Sequence, residues 1–261
     1  MSRDGPDIEA LAADIVRADT VVVLTGAGVS TASGIPDFRS EGGVWEQFDP
    51  ADFHYERFRA DPSAFWERRV ALHEAIYGES EGSSSVGPNA AHEALATLES
   101  RGHLAATVTQ NVDGLHAAAG TEAVVELHGN ASRVVCEDCG CRTSAAPVRE
   151  RVERGDLPPR CVDCGGLLKP DVVLFGEALP TPALQRARDL ARAADVFLAI
   201  GSSLTVEPAA SLPTIARRAD ATLAVCNLES TPVSDVAEYD IRADVTESLP
   251  RLVDTIGGSS G

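Results

Sequence analysis

Short apolar runs recur along the chain and alternate with longer segments in which apolar residues have helical spacing. The apolar runs have the length of buried strands and lie at residues 21–24, 104–109, 124–127, 172–174, 195–200 and 222–226. Helical spacing predicts helices at residues 7–18, 61–77, 89–100, 113–119, 181–194, 207–218 and 246–256. Strands that alternate with helices in this way predict a parallel sheet with helices on its faces.

This alternation is interrupted once, between about residues 130 and 169. We therefore predict an α/β fold in which residues 1–129 and 170–261 together form a Rossmann-like parallel sheet flanked by helices. Residues 130–169 are expected to form a small inserted module. The segment at about 40–88, loop-rich at first and then helical, is expected to contribute to the same small lobe. A chain of 261 residues is long enough for one such domain with an insertion.

The inserted module contains five of the six cysteines. Cys136 with Cys139 and Cys161 with Cys164 form two Cys-x-x-Cys pairs, the spacing of a tetrahedral four-sulfur Zn²⁺ site. Disulfides are disfavoured because the chain shows no secretory signal pattern, and a redox pair would normally stand alone. Since four cysteines fill every coordination position, the zinc is expected to be structural. Cys141 is an additional thiol, but Cys139 has the better spacing for a ligand.

The charge balance is strongly acidic. Forty acidic residues against 22 basic ones give a net charge of -18, and Lys169 is the single lysine. Contacts to nucleic-acid phosphates require clustered basic residues, so no nucleic-acid partner is expected. An acidic excess with so little lysine favours a halophile, whose proteins work in molar salt, over codon bias alone. No apolar run is long enough to span a membrane and no signal peptide is apparent, so we expect a cytoplasmic protein.

The first predicted strand leads into a glycine loop, residues 26–28, as at the start of many dinucleotide-binding units. The third glycine of that fingerprint would fall at position 31, which is Thr31. The next glycine, Gly34, comes late and is followed at once by Ile-Pro-Asp-Phe-Arg. The missing glycine, and the lack of a clear acidic ribose ligand after the next strand, disfavour a redox dehydrogenase.

Two later segments carry polar side chains at the carboxyl ends of predicted strands, where open α/β sheets bind ligands. Residues 110–113 supply two amides and a carboxylate, and His128 with Gly129 ends the next strand. The near-neutral pKa of histidine suits a general base, and His128 alone among six histidines stands at a strand end before a glycine. We expect His116 to cap or orient its own loop and His92 to lie on a surface helix.

Together these segments resemble the sirtuin family of NAD-dependent protein deacylases. The resemblance runs in the family's order from Val21 to Leu252 and places the double cysteine pair where that family carries its zinc. The matching residues are Gly26-Ala27-Gly28-x-Ser30, Ser33-Gly34-Ile35-Pro36-Asp37-Phe38-Arg39, Thr109-Gln110-Asn111-x-Asp113-x-Leu115-His116, His128-Gly129, Lys169-Pro170-Asp171-Val172-Val173-Leu174-Phe175-Gly176-Glu177, Gly201-Ser202-Ser203 and Asn227-Leu228-Glu229. Several motifs in the family's order identify a family far more specifically than a single Gly-x-Gly does.

The resemblance implies that NAD is bound and consumed as a co-substrate. Ser30, Arg39, Gly201 and Leu228 are implied NAD contacts as members of these motifs. Gly26, Ala27 and Gly28 would hold the diphosphate through backbone amides, with Ser202 and Ser203 nearby, and Asn227, Glu229 and Val245 would lie near the adenosine. The group on the nicotinamide side is Ile35, Asp37 and Phe38. Within that last group, Ile35 and Asp37 would grip the nicotinamide amide, and Phe38 would cover the ribose face from which nicotinamide leaves.

The resemblance also implies the catalytic and substrate-binding residues. His128 would act as general base, and Asn111, with Gln110 and Asp113, would position the nicotinamide ribose and a water. The residues expected to line the substrate cleft, where an acetyl-lysine peptide adds as a β-strand, are Val173, Phe175, Gly176 and Glu177. The structural Zn²⁺, held by Cys136, Cys139, Cys161 and Cys164, would take no chemical part.

The implied activity is NAD-dependent protein-lysine deacetylation with release of nicotinamide and O-acetyl-ADP-ribose. Alternatives are a mono-ADP-ribosyltransferase that uses the same NAD site, a deacylase with a broader acyl range, a dehydrogenase, and a binding module that only senses NAD. Arg69 and Leu72 stand where members that remove acidic acyl groups carry a tyrosine and an arginine, so small neutral acyl groups are favoured. We expect a monomer.

Overall fold

The computed structural model describes residues 4–36, 43–78 and 86–258. Its helices are α1 (Asp4–Arg17), α2 (Val44–Gln47), α3 (Tyr55–Ala60), α4 (Pro62–Tyr77), α5 (Ala90–Ser100), α6 (Leu115–Ala118), α7 (Ala145–Glu153), α8 (Thr181–Ala193), α9 (Leu212–Arg218) and α10 (Val245–Gly258). Its strands are β1 (Val21–Thr25), β2 (Ala106–Thr109), β3 (Val124–Glu126), β4 (Gly129–Cys136), β5 (Arg142–Ser144), β6 (Leu168–Val172), β7 (Val196–Ile200), β8 (Thr222–Cys226) and β9 (Tyr239–Ile241).

Six strands form one parallel sheet in the order β3-β2-β1-β7-β8-β9, which confirms the predicted α/β fold. The register pairs the last residues of neighbouring strands with one another. Thr25 pairs with both Thr109 and Ile200, Thr109 pairs with Glu126, and Ile200 pairs with Cys226. The strands therefore end in one row, and the loops that follow them emerge at the same edge of the sheet.

Helices cover both faces of the parallel sheet. Val21 and Val23 of β1 belong to a core that includes residues of α1, α5 and α10. Val22 and Leu24 belong to the core on the opposite face, with residues of α8 and α9. Because β1 and β7 are buried on both faces, their sequences are apolar without polar alternation, apart from Thr25 at the end of β1. Among the described residues, no helix has both the length and the apolar content needed to span a bilayer.

A second, antiparallel sheet has the order β5-β4-β6 and contains part of the cysteine-rich region. A third hydrophobic core joins this region to helices α3, α4 and α7, with Phe58 and Trp66 fully buried in it. The indole Nε1 of Trp66 donates a hydrogen bond to the carbonyl oxygen of Leu168 over 2.8 Å. Helix α4 is therefore fixed to strand β6, and the two parts of the small lobe share one interior.

The strand predicted at residues 172–174 was expected to continue the parallel sheet, and that prediction is wrong. The strand is β6, which ends at Val172 and pairs antiparallel with β4. It lies at the edge of the small sheet, where a proline such as Pro170 is tolerated because no partner is needed on one side. A short apolar run shows that a strand is buried, but it does not show which sheet the strand joins.

Two smaller differences concern the limits of helices, and a third concerns a short strand. The helix predicted at residues 207–218 is shorter, because 209–211 form a 3-10 turn and α9 begins at Leu212. The helix predicted at 113–119 shrinks to the single turn of α6. Strand β9 was not predicted, since three residues centred on Asp240 carry too little apolar pattern to be distinguished from a loop.

Replacing Trp66 by phenylalanine tests the link between α4 and β6. The change removes the indole donor, leaves the Leu168 carbonyl oxygen without it, and opens a small void. We expect the free energy of unfolding to fall by about 1–3 kcal/mol. Urea denaturation in molar KCl measures it. Tyr55→Phe, which removes a hydrogen bond to Glu137 at the rim of the same lobe, is the control. It should lower the free energy of unfolding by a smaller amount. Equal stability of the two variants would contradict the expected role of Trp66.

Candidate functional site

The segments that the sequence singled out meet at the carboxyl edge of the parallel sheet. The glycine loop follows β1, residues 110–113 follow β2, and Leu127 and His128 follow β3. Residues 201–203 follow β7 and residues 227–229 follow β8. Because the strand ends are aligned, five polar or glycine-rich loops lie side by side. This edge is where open α/β sheets bind nucleotides.

The glycine loop packs directly against the loop that follows β7. The amide of Gly28 donates to the carbonyl oxygen of Gly201 over 2.8 Å, and the amide of Gly26 donates to Ile200 over 3.1 Å. A Cβ atom at Gly26 or Gly28 would lie 2.8 or 2.9 Å from the Gly201 oxygen, too close for any larger residue. The close contact between the glycine loop and the loop that follows β7 therefore requires glycine at both positions.

This packing modifies the diphosphate cradle expected from sequence. The amides of Gly26 and Gly28 are already donated within the protein, whereas the amide of Ala27 has no acceptor among the described residues. Ser202 and Ser203 lie on the facing loop, and the Ser202 amide likewise has no described acceptor. A phosphate at this edge would therefore meet the amide of Ala27 rather than those of its two neighbours.

Asn111 and Ser30 form a buried polar network under the glycine loop. The Asn111 side-chain amide donates to the Gly26 carbonyl oxygen and to Ser30 Oγ, each over 3.1 Å. Ser30 Oγ in turn donates to Asp113 Oδ2 over 2.8 Å. Asn111 is 9% exposed and Ser30 is 1% exposed, so these side chains hold the loop and present only a small surface to a ligand.

Gln110 connects this network to His128. Its side-chain amide donates to Ser202 Oγ over 2.9 Å, and its backbone amide donates to the Thr25 carbonyl oxygen over 3.0 Å. Its own carbonyl oxygen lies 2.9 Å from His128 Nδ1. A carbonyl oxygen only accepts hydrogen bonds, so Nδ1 carries the proton and Nε2 of the neutral ring is the basic nitrogen.

Burial lowers the pKa of half-buried His128, and the hydrogen bond to the Gln110 carbonyl opposes that shift in part. The ring is therefore neutral near pH 7 and able to accept a proton. Gly129, the next residue, has φ +78°, and a Cβ there would collide with the Asp171 carbonyl oxygen. Only glycine lets the chain turn directly after His128 into β4.

The prediction that His92 lies on a surface helix is wrong. His92 has no exposed surface, its Nε2 lies 3.4 Å from Ser30 Oγ, and its ring centroid lies 4.9 Å from that of His116. His116 is 2% exposed and contacts Thr25 Oγ1 through Nε2 over 2.9 Å. Burial lowers the pKa of His92 and lowers that of His116 to about 3, so both rings are neutral.

His92 is the site residue that sequence analysis missed. It is the third residue of α5, and its side chain and that of Asn89 form a capping box at the start of the helix. The residues around it, Ala91, Ala94 and Leu95, are all buried. The spacing of Asn89 and His92 before an apolar helix was the available signal.

The nicotinamide and adenosine sides are described to different extents. Ile35 is half-buried beyond the glycine loop, whereas residues 37–39, which include three predicted NAD contacts, lie outside the described residues. On the other side, Asn227 Nδ2 donates to the Glu229 carbonyl oxygen over 2.9 Å, and Leu228 is 70% exposed. Val245 is buried at the start of α10 and packs in the core, which leaves little of its surface for a ligand.

The four predicted metal ligands lie together in the small lobe. The Sγ atoms of Cys136, Cys139, Cys161 and Cys164 are all within 4.8 Å of one another. The Sγ atoms of Cys136 and Cys164 are 3.4 Å apart, and those of Cys139 and Cys161 are 3.9 Å apart. Tetrahedral Zn²⁺ with bonds of about 2.3 Å requires sulfur atoms about 3.8 Å apart, so the donor set fits this ion. Four thiolates leave no open position, and Cys141 is outside the group.

The predicted substrate segment connects His128 to the small lobe. The Val173 amide donates to the His128 carbonyl oxygen over 2.9 Å, and the Phe175 amide donates to Phe53 over 3.2 Å. Phe175 itself is 41% exposed. The amide of Leu174 is also taken, by the Glu177 carboxylate over 2.7 Å. Among the described residues, the amide of Gly176 has no acceptor and the carbonyl oxygen of Val173 has no donor, so both groups are free for backbone pairing with a peptide.

One carboxylate oxygen of Glu177 is bound within the protein. Its Oε2 accepts hydrogen bonds from Lys169 Nζ over 3.0 Å and from the Leu174 amide over 2.7 Å. Of the four predicted cleft residues, Phe175 and Gly176 are exposed, and Val173 and Glu177 are half-buried.

Fold and site together define a nucleotide-binding α/β protein with a small four-cysteine lobe. A model of the Sir2 family matches residues 26–208. An NAD-dependent protein deacetylase of Haloarcula marismortui is 57% identical, over 97% of this chain and 96% of that protein. NAD-dependent protein deacetylase 1 of Pyrobaculum aerophilum is 44% identical over the same shares of the two chains. A solved complex of Sir2 with a p53 peptide and NAD⁺ is 37% identical and superposes with a TM-score of 0.83, covering 97% of this chain and 99% of that one. The chain belongs to the Sir2 family.

Metal content tests the four-cysteine site. We expect one Zn²⁺ per chain in protein purified with zinc, measured by atomic emission after dialysis. Cys161→Ser should lose the ion, because a buried thiolate ligand is removed, and should destabilise the small lobe. Cys141→Ser is the matched control and should keep the ion. Zinc retained by the first variant and lost by the second would assign the ligands differently.

Proposed function

We propose that this protein is an NAD-dependent protein-lysine deacetylase that releases nicotinamide and O-acetyl-ADP-ribose. The observation that carries the proposal is the state of His128. Its Nδ1 proton is committed to the Gln110 carbonyl oxygen, so Nε2 is a base held at the same sheet edge as the glycine loop. The 57% identity to a Haloarcula deacetylase and the NAD⁺ and peptide in a similar Sir2 complex support this choice.

The residues at the sheet edge fit NAD. The amide of Ala27 is an unused donor beside Ser202 and Ser203, where the diphosphate would lie. Asn111, Gln110 and Asp113 are held by hydrogen bonds beneath the same loop, next to the place proposed for the nicotinamide ribose. When bound, NAD supplies the ribose carbon that accepts the acyl oxygen, with nicotinamide as the leaving group.

Nε2 of His128 would accept one proton from a ribose hydroxyl. Gln110 assists by fixing the tautomer and the ring orientation, so no reorganisation is needed when the proton moves. Asn111 and Ser30 keep the glycine loop rigid from below. We retain Ile35, Asp37 and Phe38 as proposed contacts on the nicotinamide side, and Arg39 as a proposed NAD contact.

The remaining roles follow from the same arrangement. We propose that residues 1–129 and 170–261 form the NAD-binding domain and that 130–169 form the zinc module, although β6 extends the antiparallel sheet to Val172. The zinc is structural, because four thiolates exclude water and substrate from the metal. We propose a cytoplasmic monomer of a halophile that acts on acetyl-lysine proteins and makes no contact with nucleic acid. The net charge of -18 supports the absence of a nucleic-acid partner, and the Haloarcula relative supports the halophilic origin.

One observation favours testing acidic acyl groups as well. Arg69 is half-buried on α4 and makes no ion pair or hydrogen bond among the described residues, whereas Leu72 is buried in the third core. A guanidinium without a carboxylate partner in the protein could donate hydrogen bonds to the carboxylate of a substrate. We still propose small neutral acyl groups as the main substrates, because Leu72 supplies no second polar contact.

Nicotinamide release tests the proposed function. Protein in molar KCl is mixed with NAD and an acetyl-lysine or succinyl-lysine peptide, and products are separated by mass. Wild type should release nicotinamide only with the acetyl peptide, and His128→Ala should lose about 10²–10⁴ in kcat through loss of the general base. His103→Ala, a histidine at the opposite edge of the sheet, should remain active. Label transferred to protein instead of O-acetyl-ADP-ribose would establish the transferase.

The pH dependence of kcat/KM provides a further test of His128. Burial lowers the pKa of this histidine, and only the neutral ring accepts a proton. Activity should therefore stay level as the pH falls from 8 towards the ordinary histidine pKa of about 6.5, and should decline only below it. A half-maximal point above that value would contradict the neutral, Nδ1-protonated state.

A further inference from the structure

Lys169 is the single lysine of the chain, and it is buried, with 7% of its surface exposed. Its Nζ donates to the Val172 carbonyl oxygen over 2.8 Å and to Glu177 Oε2 over 3.0 Å. A buried ammonium group is destabilising unless it is paired and hydrogen-bonded. Both of its acceptors belong to residues 172–177, the segment that we call the clasp segment.

The clasp segment is closed on itself by the same carboxylate. Glu177 Oε2, which accepts from Lys169, also accepts from the Leu174 amide over 2.7 Å. The amide of Glu177 donates back to the Leu174 carbonyl oxygen over 3.0 Å. Gly176, with φ +84°, allows the tight turn between them. Leu174 anchors the loop in the third hydrophobic core, and the charge of Lys169 adds an ion pair that ties Glu177 at its far end to β6.

The clasp segment contacts the catalytic histidine on one side and the small lobe on the other. The Val173 amide donates to the His128 carbonyl oxygen, and Gly129 pairs with Val172 in the antiparallel sheet. At the other end, the Tyr55 amide donates to the Phe175 carbonyl oxygen over 2.9 Å. A change in the conformation of this loop would be transmitted to the backbone of His128 and to the exposed ring of Phe175.

We propose that Lys169 is a positioning residue for deacetylation. With Glu177, it holds the clasp segment in the conformation that the acetyl-lysine peptide meets and that fixes the backbone at His128. This inference rests on the proposed function. It assigns the carboxylate of Glu177 to the protein's own loop rather than to the substrate.

Four variants separate this role from general stability. Lys169→Met removes the charge and keeps much of the apolar stem, and Lys169→Arg keeps the charge with a different geometry. Glu177→Gln removes the charge but keeps an acceptor for the Leu174 amide. Arg151→Met is the matched control, since Arg151 also makes one ion pair, with Asp156, and one bond to a backbone carbonyl oxygen, that of Arg160, within the small lobe.

Steady-state kinetics is the first measurement. Lys169→Met should raise the KM for the acetyl-lysine peptide about tenfold, the effect of losing one charged hydrogen bond. Its Kd for NAD should stay within about twofold of wild type, and Lys169→Arg should recover part of the loss. The double variant Lys169→Met, Glu177→Gln should raise this KM little more than the more severe of the two single variants does, because the two residues act as one unit. A merely structural effect would lower the active fraction, and hence the apparent kcat, without changing KM.

Hydrogen exchange provides a readout that does not depend on activity. Peptic peptides that cover residues 172–177 should exchange faster in Lys169→Met than in wild type or in Arg151→Met. If Lys169→Met fails to fold, Glu177→Gln should show the same local acceleration. A wild-type KM for Lys169→Met, or exchange no faster than in Arg151→Met, would overturn the proposal. Absence of deacetylation by wild type would instead refute the proposed function, while exchange would still decide whether Lys169 holds the segment.

Discussion

The alignment of strand ends in the parallel sheet is the constraint on which the site depends. Thr25, Thr109, Glu126, Ile200 and Cys226 form one row of register partners, so the loops that follow them are neighbours. A slip of one residue in any pair would turn the buried side chains of that strand to the opposite face, against the wrong core. The two hydrophobic cores on the faces of the sheet therefore hold the loops in position as well as stabilising the fold.

From that row, one continuous set of contacts leads to the base. The glycine loop touches Gly201, the adjacent Ser202 accepts from Gln110, and the carbonyl oxygen of Gln110 fixes His128. Each of these groups is hydrogen-bonded to another part of the protein. These described contacts between the glycine loop and His128 are in place without a ligand, and preorganised groups of this kind are what electrostatic stabilisation of a transition state requires.

Charge is distributed unevenly between the surface and this interior. The chain carries a net charge of -18, yet the rings of His92 and His116 next to the site are neutral because burial lowers their pKa values. Screening in molar salt weakens the repulsion between surface carboxylates but reaches buried groups much less. Acidity at the surface and neutral histidine rings beside the glycine loop are therefore compatible in one protein.

The sequence by itself determined the parallel α/β fold, the limits of strands such as β8, the cysteine quartet and the position of His128 at a strand end. These features depend on local spacing and on residue chemistry, which a sequence shows directly. Only the tertiary structure decided that His92 is buried, that β6 joins the small sheet, that the amides of Gly26 and Gly28 are already used, and that Glu177 faces Lys169. Each of these depends on which distant residue lies opposite, and periodicity shows whether a position is buried but not what it is buried against.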